Sequence, residues 1–343
     1  MYVKFPLILL KLSGGFESMI LLTGATGYIG SHIWVELLNK SIPVIGVDNL
    51  SNSKIECLEA ISQASGQTLK FFHGDIRDSQ FLKNIFSEFQ ISHVIHLAAL
   101  KDIQDSLVKQ DEYFDVNVRG LENLLHVMKE YGCHKMIFSS SAAVYGDHAI
   151  SPIAEDANKQ PNNWYGETKL KAEAILLEES LGLPAINSIA LRYFNVAGRH
   201  PTGFMGDCSV SKPQSLFDRI ESVVRSKQGK LSVFGDSWST PDGTCIRDYV
   251  HVCDIAKGHV AALSLLDEVG GFAPLNLGSG EGKSVKEVLS AFEHVTGRTL
   301  PIEIAAKRAG DVAMSYADCT KARKLMGWTP SSTLFNMCVD QIG

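Results

Sequence analysis

The chain has 343 residues, a formal net charge of −6 and 45% hydrophobic residues, which is enough apolar material for one large or two ordinary domains. The negative charge excludes a general role in binding nucleic acid, because the phosphates would repel the protein. Seven widely spaced cysteines without a Cys-x-x-Cys pair argue against a disulfide scaffold or a zinc cluster and favour a reducing, cytoplasmic compartment.

The first 18 residues differ from the rest of the sequence. Residues 3–12 are apolar but contain Pro6, and the run is too short to cross a bilayer. No small-residue cleavage site follows it, as a secretory signal would require. We interpret residues 1–18 as an extension without fixed structure, or as sequence before a true start at Met19, and we predict no membrane association.

From Met19 onward, short apolar runs alternate with amphipathic stretches. The runs typical of buried strands are residues 19–23, 43–47, 69–72, 93–98, 134–139 and 184–192. The stretches with helical spacing are residues 28–40, 54–63, 79–89, 106–131 and 165–179. Continuous apolar strands separated by helices predict an α/β fold with a Rossmann-type, doubly wound parallel sheet.

After Phe194 the pattern changes. Residues 198–215 form an irregular run rich in Gly, Pro, Ser and Asp. Shorter elements follow it, with helices near 216–227, 254–266 and 284–296 and a strand near 231–234. We therefore predict a Rossmann domain over residues 19–194 and a smaller C-terminal α/β lobe over residues 195–343, with some of its segments returning to the first domain.

The glycine-rich segment at the first strand–helix junction is typical of a dinucleotide site. Gly24 permits the tight turn, Gly27 lets a pyrophosphate approach the backbone, and Gly30 allows the helix to pack closely on the strand. The helix N-terminus offers free amides to the phosphates. Asp48 ends the second strand, where a carboxylate binds ribose hydroxyls, and Asn49 rather than an arginine follows it. This combination favours NAD over NADP.

Further residues surround the predicted cofactor crevice at the ends of the strands. Beyond the glycines and Asp48, the predicted cofactor contacts are Tyr28, Ile29, Asn49, Ser53, Asp75, Ile76, Leu97, Ala98 and Ala99. The pair His93 and His96 stands three residues apart on one predicted strand, so the two rings face opposite sides. We therefore predict no shared metal there.

Tyr165 and Lys169 form a Tyr-x-x-x-Lys pair at the start of a helix, where a spacing of four places both side chains on one face. A free tyrosine has a pKa of about 10, too high for a base at neutral pH. A nearby ammonium and a positive nicotinamide ring would both lower that pKa. The run 139–141 is three serines at the end of the fifth strand, within reach of the same substrate oxygen.

Taken together, these motifs resemble the extended short-chain dehydrogenase/reductase superfamily. Segments 48–53 (DNLSNS), 139–146 (SSSAAVYG), 191–195 (LRYFN) and 247–252 (RDYVHV) are similar to those of the UDP-glucose 4-epimerase family, over about residues 19–330. The resemblance implies an isomerase that inverts carbon 4 of UDP-hexoses through a transient 4-keto sugar, with tightly bound NAD. It also implies a homodimer built from the helices near 106–131 and 165–180.

The resemblance further implies roles for individual residues. Tyr165 would be the base, Lys169 its electrostatic partner and Ser141 the hydrogen-bonding serine. Lys101, Asn117 and Phe194 would lie near the cofactor. The implied substrate-binding residues, besides Ser141 and Tyr165, are Asn195, Ser215, Leu216, Arg247, Arg308, Asp311 and Ser315. In this set the two arginines would bind the diphosphate, and Asp311 the uridine ribose.

Three departures from the family bear on activity. We align Ser315 with a position where a bulky tyrosine restricts the sugar, so N-acetylated UDP-hexoses are expected to be accepted unless Tyr316 fills the gap instead. Ser215 replaces an asparagine, and the sequence ends at Gly343 before the family's aromatic segment, which together predict weaker substrate contacts. Ala142 and Ala143 replace the Asp-Glu pair of related dehydratases, so dehydration is disfavoured.

Two alternatives remain open at this point. A neighbouring reaction on UDP-glucuronate or UDP-xylose would use the same fold, although a carboxylated sugar would require an additional cation. A catalytically silent NAD-binding regulator is the second alternative, since the fold alone does not define the function. The intact residues Ser141, Tyr165 and Lys169 argue against it.

Overall fold

The computed structural model describes residues 18–147, 150–210, 215–226, 228–308 and 311–343. The interpretation of the N-terminal extension therefore lies, apart from Ser18, outside the described residues. None of the helices found in those ranges combines the length and the apolar character that a membrane crossing requires.

The secondary structure alternates regularly through the first half of the chain. The strands are β1 Met19–Thr23, β2 Val44–Asp48, β3 Phe71–His73, β4 Ile91–His96, β5 Lys135–Ser141, β6 Asn187–Tyr193, β7 Asn195–Ala197, β8 Leu231–Phe234, β9 Ile246–His251, β10 Phe272–Leu277, β11 Gly282–Ser284, β12 Ile302–Ala305 and β13 Met314–Ser315. The α-helices are α1 Tyr28–Asn39, α2 Cys57–Ser65, α3 Ser79–Glu88, α4 Ile103–Val108, α5 Gln110–Phe114, α6 Gly120–Glu130, α7 Trp164–Glu179, α8 Leu216–Ser226, α9 Val252–Glu268, α10 Val285–Thr296, α11 Thr320–Met326 and α12 Leu334–Ile342. A π-helical turn spans Asp115–Arg119 and a 3-10 turn spans Ala142–Val144.

Seven parallel strands form the main sheet, in the order β10-β6-β5-β4-β1-β2-β3. The prediction of a doubly wound Rossmann-type sheet is confirmed. The strand order reverses between β1 and β4, and open α/β sheets bind their ligands in the crevice at the carboxyl ends of the strands at such a reversal. This topology locates the candidate site before any side chain is considered.

Both faces of the sheet are covered, which explains why its strands are apolar without alternation. Leu22 belongs to one hydrophobic cluster with Trp34 of α1, and its neighbour Leu21 to the other with Leu124 of α6; all three leucines and the tryptophan are fully buried. Successive residues of a strand point to opposite faces, so each face has its own core.

The second half of the chain builds a smaller lobe and also contributes to the first. Strand β9 pairs with β7, β11 and β13, and β8 pairs with β12. Helices α8, α10 and α12 pack around Phe217 and Phe292 in a third hydrophobic cluster. Two segments return to the first lobe: β10 pairs with β6 at the edge of the main sheet, and α9 packs against α1. The domain boundary at residue 194 stays a prediction.

The stretch with helical spacing over residues 106–131 is helical in the structure apart from one interruption. The chain there forms α4, α5, the π turn and α6, with a break at Lys109, whose φ is −117°. Within the π turn, the Asn117 side chain accepts a hydrogen bond from Leu100 N (2.8 Å) and donates one to Leu100 O (3.0 Å). The π turn therefore makes a tertiary contact that local periodicity does not reveal, and π turns often occur at functional sites.

Candidate active site

The turn between β1 and α1 is packed tightly against the end of β4. Gly24 has φ +69°, and a Cβ at this position would lie 2.7 Å from Ala98 N. A Cβ at Gly30 would lie 2.1 Å from Gly24 O. Both glycines are therefore required by close backbone approach and, for Gly24, by the positive φ. The turn consequently lies at the β1/β4 crevice.

The N-terminus of α1 opens into this crevice without a side-chain cap. Gly27 is the N-cap residue, makes no capping hydrogen bond, and is followed by a first turn without an acidic side chain. The first amides of a helix lack intrahelical partners and carry the positive end of the helix dipole. Uncapped amides beside a residue without a side chain fit the pyrophosphate of a dinucleotide.

Asp48 is held at the carboxyl end of β2. Its carboxylate accepts hydrogen bonds from Thr26 N (3.1 Å), Leu50 N (2.9 Å) and Ser53 Oγ (3.3 Å), and Ser53 Oγ also lies 2.7 Å from Thr26 Oγ1. The carboxylate therefore has a fixed direction beside the glycine turn. This position suits the ribose hydroxyls of NAD.

The predicted adenine side of the crevice forms a second polar network. Asn49 Nδ2 donates to Asp75 Oδ2 (2.9 Å), and Arg77 donates to both Asp75 oxygens (3.0 and 2.8 Å). The Arg77 guanidinium holds the pKa of Asp75 well below its usual range. Ile76 is buried, and its Cδ1 would contact a Cβ placed at Gly120. The structure thus brings Asn49, Asp75 and Ile76 together beside Asp48.

The remaining predicted cofactor residues differ in their surroundings. Leu97 N donates to Thr23 O (3.1 Å), which fixes the start of the half-buried segment Leu97, Ala98 and Ala99. Tyr28 OH donates to Gly198 O (2.5 Å) across the two lobes, while Ile29 is half-buried. Asn117 is buried and forms the two hydrogen bonds to the Leu100 backbone described above. The adjacent residue Lys101 is exposed.

The proposed catalytic residues meet at the end of β5 and the start of α7. Helix α7 begins beside Asn163, whose Oδ1 accepts from Gly166 N (2.9 Å). Lys169 Nζ donates to Ser139 O (2.7 Å) and lies 5.9 Å from the centroid of the Tyr165 ring. Lys169 is 3% exposed, while Tyr165 and Ser141 are half-buried. The lysine is enclosed, and the tyrosine and serine remain accessible to a ligand.

Burial dominates the electrostatics of this group. It raises the pKa of Tyr165 to about 12, and a hydrogen bond with Ser141 acts in the opposite direction. Burial also lowers the pKa of Lys169 to about 7, against the attraction of the Glu173 carboxylate. The protein groups alone therefore do not lower the pKa of Tyr165, contrary to the expectation for its lysine neighbour. A cation beside the ring would have to supply that shift.

Phe194 and Asn195 lie where β6 passes into β7. Phe194 is 8% exposed, and its ring centroid lies 6.5 Å from that of Tyr145. Asn195 is exposed at the first position of β7, paired in register with Tyr249 of β9. At the junction of the two lobes, the Phe194 ring is therefore buried and the Asn195 amide is accessible.

Arg247, Asp311 and Ser315 converge in the second lobe. Arg247 Nη1 donates to Ile246 O (2.9 Å) and Val312 O (2.8 Å), and its Nη2 lies 3.3 Å from Asp311 Oδ1. Ser315 pairs in register with Arg247, so both side chains project from the same face. The neighbouring Tyr316 projects from the other face, next to Gly282.

Arg308 and Ser215 occupy less expected environments. The Arg308 guanidinium lies 3.5 Å from the centre of the Phe234 ring, and burial lowers its pKa. Ser215 Oγ accepts from Asp218 N (3.1 Å) and donates to Asp218 Oδ2 (2.5 Å) directly before Leu216, the first residue of α8. The Ser215 hydroxyl is therefore engaged as a helix cap. Residues 212–214 of the same motif lie outside the described residues.

Three buried residues next to the site received no role in the sequence analysis. Glu173 and Arg192 form an ion pair at 2.6 Å, and Ser140 Oγ donates to Glu173 Oε1 at 2.6 Å. The sequence signal that could have found Glu173 is its position four residues after Lys169, on the same helix face.

The site and the fold together define an NAD-dependent member of the extended short-chain dehydrogenase/reductase class. A sequence profile described as GDP-mannose 4,6 dehydratase matches residues 21–341. The UDP-glucose 4-epimerase of Bacillus subtilis (strain 168) is 41% identical over 321 residues, covering 94% of this chain and 95% of the relative. The chain belongs to the UDP-glucose 4-epimerase family.

Solved structures agree with this assignment. The UDP-glucose 4-epimerase from Bifidobacterium longum in complex with NAD+ and UDP has a TM-score of 0.90 at 40% identity, covering 95% of this chain and 97% of that one. The UDP-Glc/GlcNAc 4-epimerase from Campylobacter jejuni has a TM-score of 0.83 at 34% identity, covering 95% and 98%. The family resemblance inferred from the sequence motifs is confirmed.

Proposed function

We propose that this protein catalyses the reversible epimerisation of UDP-hexoses at carbon 4, between UDP-glucose and UDP-galactose, with tightly bound NAD. The observation that carries the proposal is the grouping of Tyr165, Ser141 and Lys169 at the carboxyl edge of the sheet, beside a crevice that fits a dinucleotide. The family to which the chain belongs supports the same reaction.

When bound, NAD would supply reversible redox chemistry at carbon 4 and a positive charge that favours the Tyr165 phenolate. Tyr165 takes the proton from the hydroxyl on carbon 4 and later returns it to the same oxygen on the opposite face of the sugar. Ser141 holds that oxygen by a hydrogen bond. The charge of Lys169, fixed by Ser139 O at 2.7 Å, would add to that of bound NAD in stabilising the phenolate, whereas burial outweighs it in the protein alone.

We infer that the second lobe binds the UDP moiety firmly and leaves the hexose free to rotate. Arg247 has a guanidinium fixed by two backbone carbonyls, which suits recognition of a diphosphate. Arg308 adds a second cation, Asp311 binds the uridine ribose, and Asn195 and Leu216 complete the substrate contacts. Because Ser215 caps α8, we expect it to contribute little to substrate binding.

The proposal is tested by purifying the protein without added cofactor and mixing it with UDP-galactose. We expect UDP-glucose to appear and NAD to be released when the purified protein is denatured. An absence of conversion even after NAD is supplied would refute the proposed reaction. Conversion of UDP-glucuronate or UDP-xylose instead would indicate a neighbouring substrate, and NAD binding without any turnover a silent regulator.

Acceptance of N-acetylated sugars follows from Ser315. We propose that its small side chain, on the same face as Arg247, leaves room for the acetamido group. The substitution Ser315→Tyr is expected to reduce turnover of UDP-N-acetylgalactosamine at least tenfold, on the order of the discrimination that pocket size provides, and to leave UDP-galactose turnover nearly unchanged. Both rates are measured by chromatography of the nucleotide sugars.

The matched control for this substitution is Met314→Tyr. Met314 precedes Ser315 in β13, projects from the opposite face and is exposed, so it should change neither rate. Failure of the unsubstituted protein to act on the acetylated sugar would contradict the proposal. Equal effects of the two tyrosine substitutions would instead indicate that Ser315 does not line the sugar pocket.

We also propose that the protein is a homodimer formed through α4, the adjoining helices and α7. Exposed apolar side chains on these helices, among them Leu107, Val108 and Leu177, support the proposal, because exposed apolar surface marks interaction sites. Light scattering is expected to give twice the 37.5 kDa chain mass. We expect Val108→Glu combined with Leu177→Glu to give the monomer mass, while Ile304→Glu, on exposed β12 in the other lobe, should not.

We further propose a cytoplasmic location for the protein. Its seven cysteines are all free in the structure, and most of them are buried, as is usual for thiols in a reducing compartment.

A further inference from the structure

One turn beyond Lys169, on the same face of α7, lies a buried ion pair between Glu173 and Arg192. Glu173 follows Lys169 by four residues and Tyr165 by eight, so the three side chains share one face of the helix. Glu173 is 3% exposed and Arg192 is 1% exposed. Charges this deeply buried are costly unless they are paired and fully hydrogen-bonded, so each contact of the pair has to be accounted for.

The contacts of Glu173 fix it rigidly. Arg192 Nε donates to Oε1 (2.9 Å) and Arg192 Nη2 to Oε2 (2.6 Å), which is the bidentate geometry of a strong ion pair. Ser140 Oγ donates a third hydrogen bond to Oε1 (2.6 Å). On its far side, Arg192 Nη1 donates to Tyr145 OH and to Glu155 O, both at 2.9 Å. The Glu173 carboxylate therefore cannot change its orientation without breaking these hydrogen bonds.

The three serines at the end of β5 connect this network to the active site. Ser139 O accepts from Lys169 Nζ (2.7 Å), Ser140 Oγ donates to Glu173 Oε1 (2.6 Å), and Ser141 lowers the pKa of Tyr165 against the effect of burial. Three neighbouring residues of β5 thus lie against three turns of one face of α7. Along this face Tyr165, the proposed base, lies at one end and Glu173 at the other, with Lys169 between them.

Lys169 is in an environment that opposes its charge. Its ammonium group has one carbonyl partner, Ser139 O, and lies 4.8 Å from the centroid of the Phe138 ring. Burial lowers the pKa of Lys169 to about 7, and the Glu173 carboxylate is the group that raises it. Across the sheet, burial and the Lys169 charge lower the pKa of His96 to about 3, so the imidazole is neutral at neutral pH.

Other charged groups near α7 are engaged elsewhere. On the short helices packed against it, Asp105 pairs with Lys109 (3.1 Å) and Asp115 with Arg77 (2.9 Å). Tyr165 itself is uncharged at neutral pH, because burial raises its pKa to about 12. Among the described residues, Glu173 is therefore the anion that acts on Lys169.

We propose that Glu173 is a positioning residue of the active site: held by Arg192 and Ser140, it keeps Lys169 in its ammonium form beside Tyr165. Glu173 does not touch the substrate in this proposal and acts only through Lys169. Its kinetic consequence rests on the proposed epimerase function, whereas its effect on Lys169 does not.

The kinetic test is the pH profile of kcat in Glu173→Gln. Without the carboxylate, the pKa of Lys169 falls further. Because the ammonium form is the active one and exists below that pKa, activity is lost at a lower pH than in the unsubstituted protein. We expect the alkaline limb of the profile to move down by about one pH unit, with activity recovering partly at the acidic end.

Tyr145→Phe serves as the matched control. It removes one hydrogen bond from the far side of Arg192 but leaves the carboxylate in place, so it should lower stability without moving the alkaline limb. If Glu173→Gln loses activity equally at every pH, as Tyr145→Phe would if it loosened the fold, Glu173 has only a structural role and the proposal is overturned.

A second readout is independent of turnover. The midpoint of Lys169 titration is measured by NMR of protein labelled at lysine ¹³Cε, with Lys169→Arg to assign the resonance. We expect the midpoint to fall by about one pH unit in Glu173→Gln and to stay unchanged in Tyr145→Phe; equal midpoints in all three proteins overturn the proposal. A shifted midpoint in a protein without epimerase activity would refute the proposed function and leave this inference standing.

Should Glu173→Gln fail to fold because it leaves Arg192 unpaired, the double variant Glu173→Gln/Arg192→Met takes its place. Replacing both members of a buried ion pair is tolerated far better than removing one. The double variant lacks the carboxylate but also lacks the Arg192 cation, so a downward shift of the Lys169 midpoint is expected that is smaller than in the single variant. An unchanged midpoint in it would overturn the proposal.

Discussion

Replacing Tyr165 by phenylalanine is expected to lower kcat for UDP-galactose roughly a thousandfold, within the range that general acid–base groups contribute. The phenyl ring keeps the packing at the start of α7 but can neither take nor return the proton of the carbon 4 hydroxyl. NAD content and the urea unfolding transition should remain those of the unsubstituted protein. The rate is measured by following UDP-glucose formation at saturating substrate.

Tyr113→Phe is the matched control for this substitution. Tyr113 is a buried tyrosine on α5, and its hydroxyl donates to Asp102 O (2.7 Å). Its loss should cost about 1 kcal/mol of stability and leave kcat unchanged. If Tyr165→Phe kept more than a tenth of the activity, another group would have to be the base.

The second large effect is expected on stability, from Gly30→Ala. Alanine normally stabilises a helix relative to glycine by about 1 kcal/mol. Here the added Cβ would lie 2.1 Å from Gly24 O and 3.1 Å from Ala25 Cα, so α1 has to move away from the β1 turn. We expect the free energy of unfolding to fall by about 2–4 kcal/mol, measured by urea denaturation.

Gly27→Ala is the companion to Gly30→Ala. Gly27 has φ −67°, which any residue adopts, and a Cβ there would lie 3.3 Å from Gly24 O. The cost in stability should be below about 1 kcal/mol, but the methyl group stands beside the uncapped amides of α1, so NAD should bind more weakly. Unchanged NAD affinity would mean that the pyrophosphate does not approach Gly27, and a Gly30→Ala protein of full stability would mean that α1 can shift freely.

The main sheet could be predicted from the sequence because its determinants are local. Runs such as Leu21 and Leu22 are buried on both faces, so they are apolar without alternation. Strand β10 was missed. It contains Pro274, which argues against a strand in general but is tolerated at a sheet edge, and β10 is the edge strand. Its place depends on pairing with β6, which no local pattern encodes.

The candidate site was predicted unevenly for the same reason. Residues in fixed-spacing motifs can be located from the sequence: Gly24 follows β1, and Tyr165 and Lys169 lie in the first turns of α7, while their roles stay predictions. The alignment of Ser215 with an asparagine predicts a substrate contact, but the Ser215 hydroxyl caps α8. The sequence predicts a lowered pKa for Tyr165, but burial raises it. Burial depends on the packing of distant segments and not on the neighbouring lysine alone.

The position of β10 has a consequence for how the chain is made. Residues Phe272–Leu277 of β10 pair with β6 and complete the main sheet. They are synthesised about eighty residues after β6. During that interval β6 presents an unpaired edge, which is a template for aggregation. We therefore expect a nascent chain or fragment ending near residue 194 to require chaperone protection, although it already contains the complete glycine-rich turn.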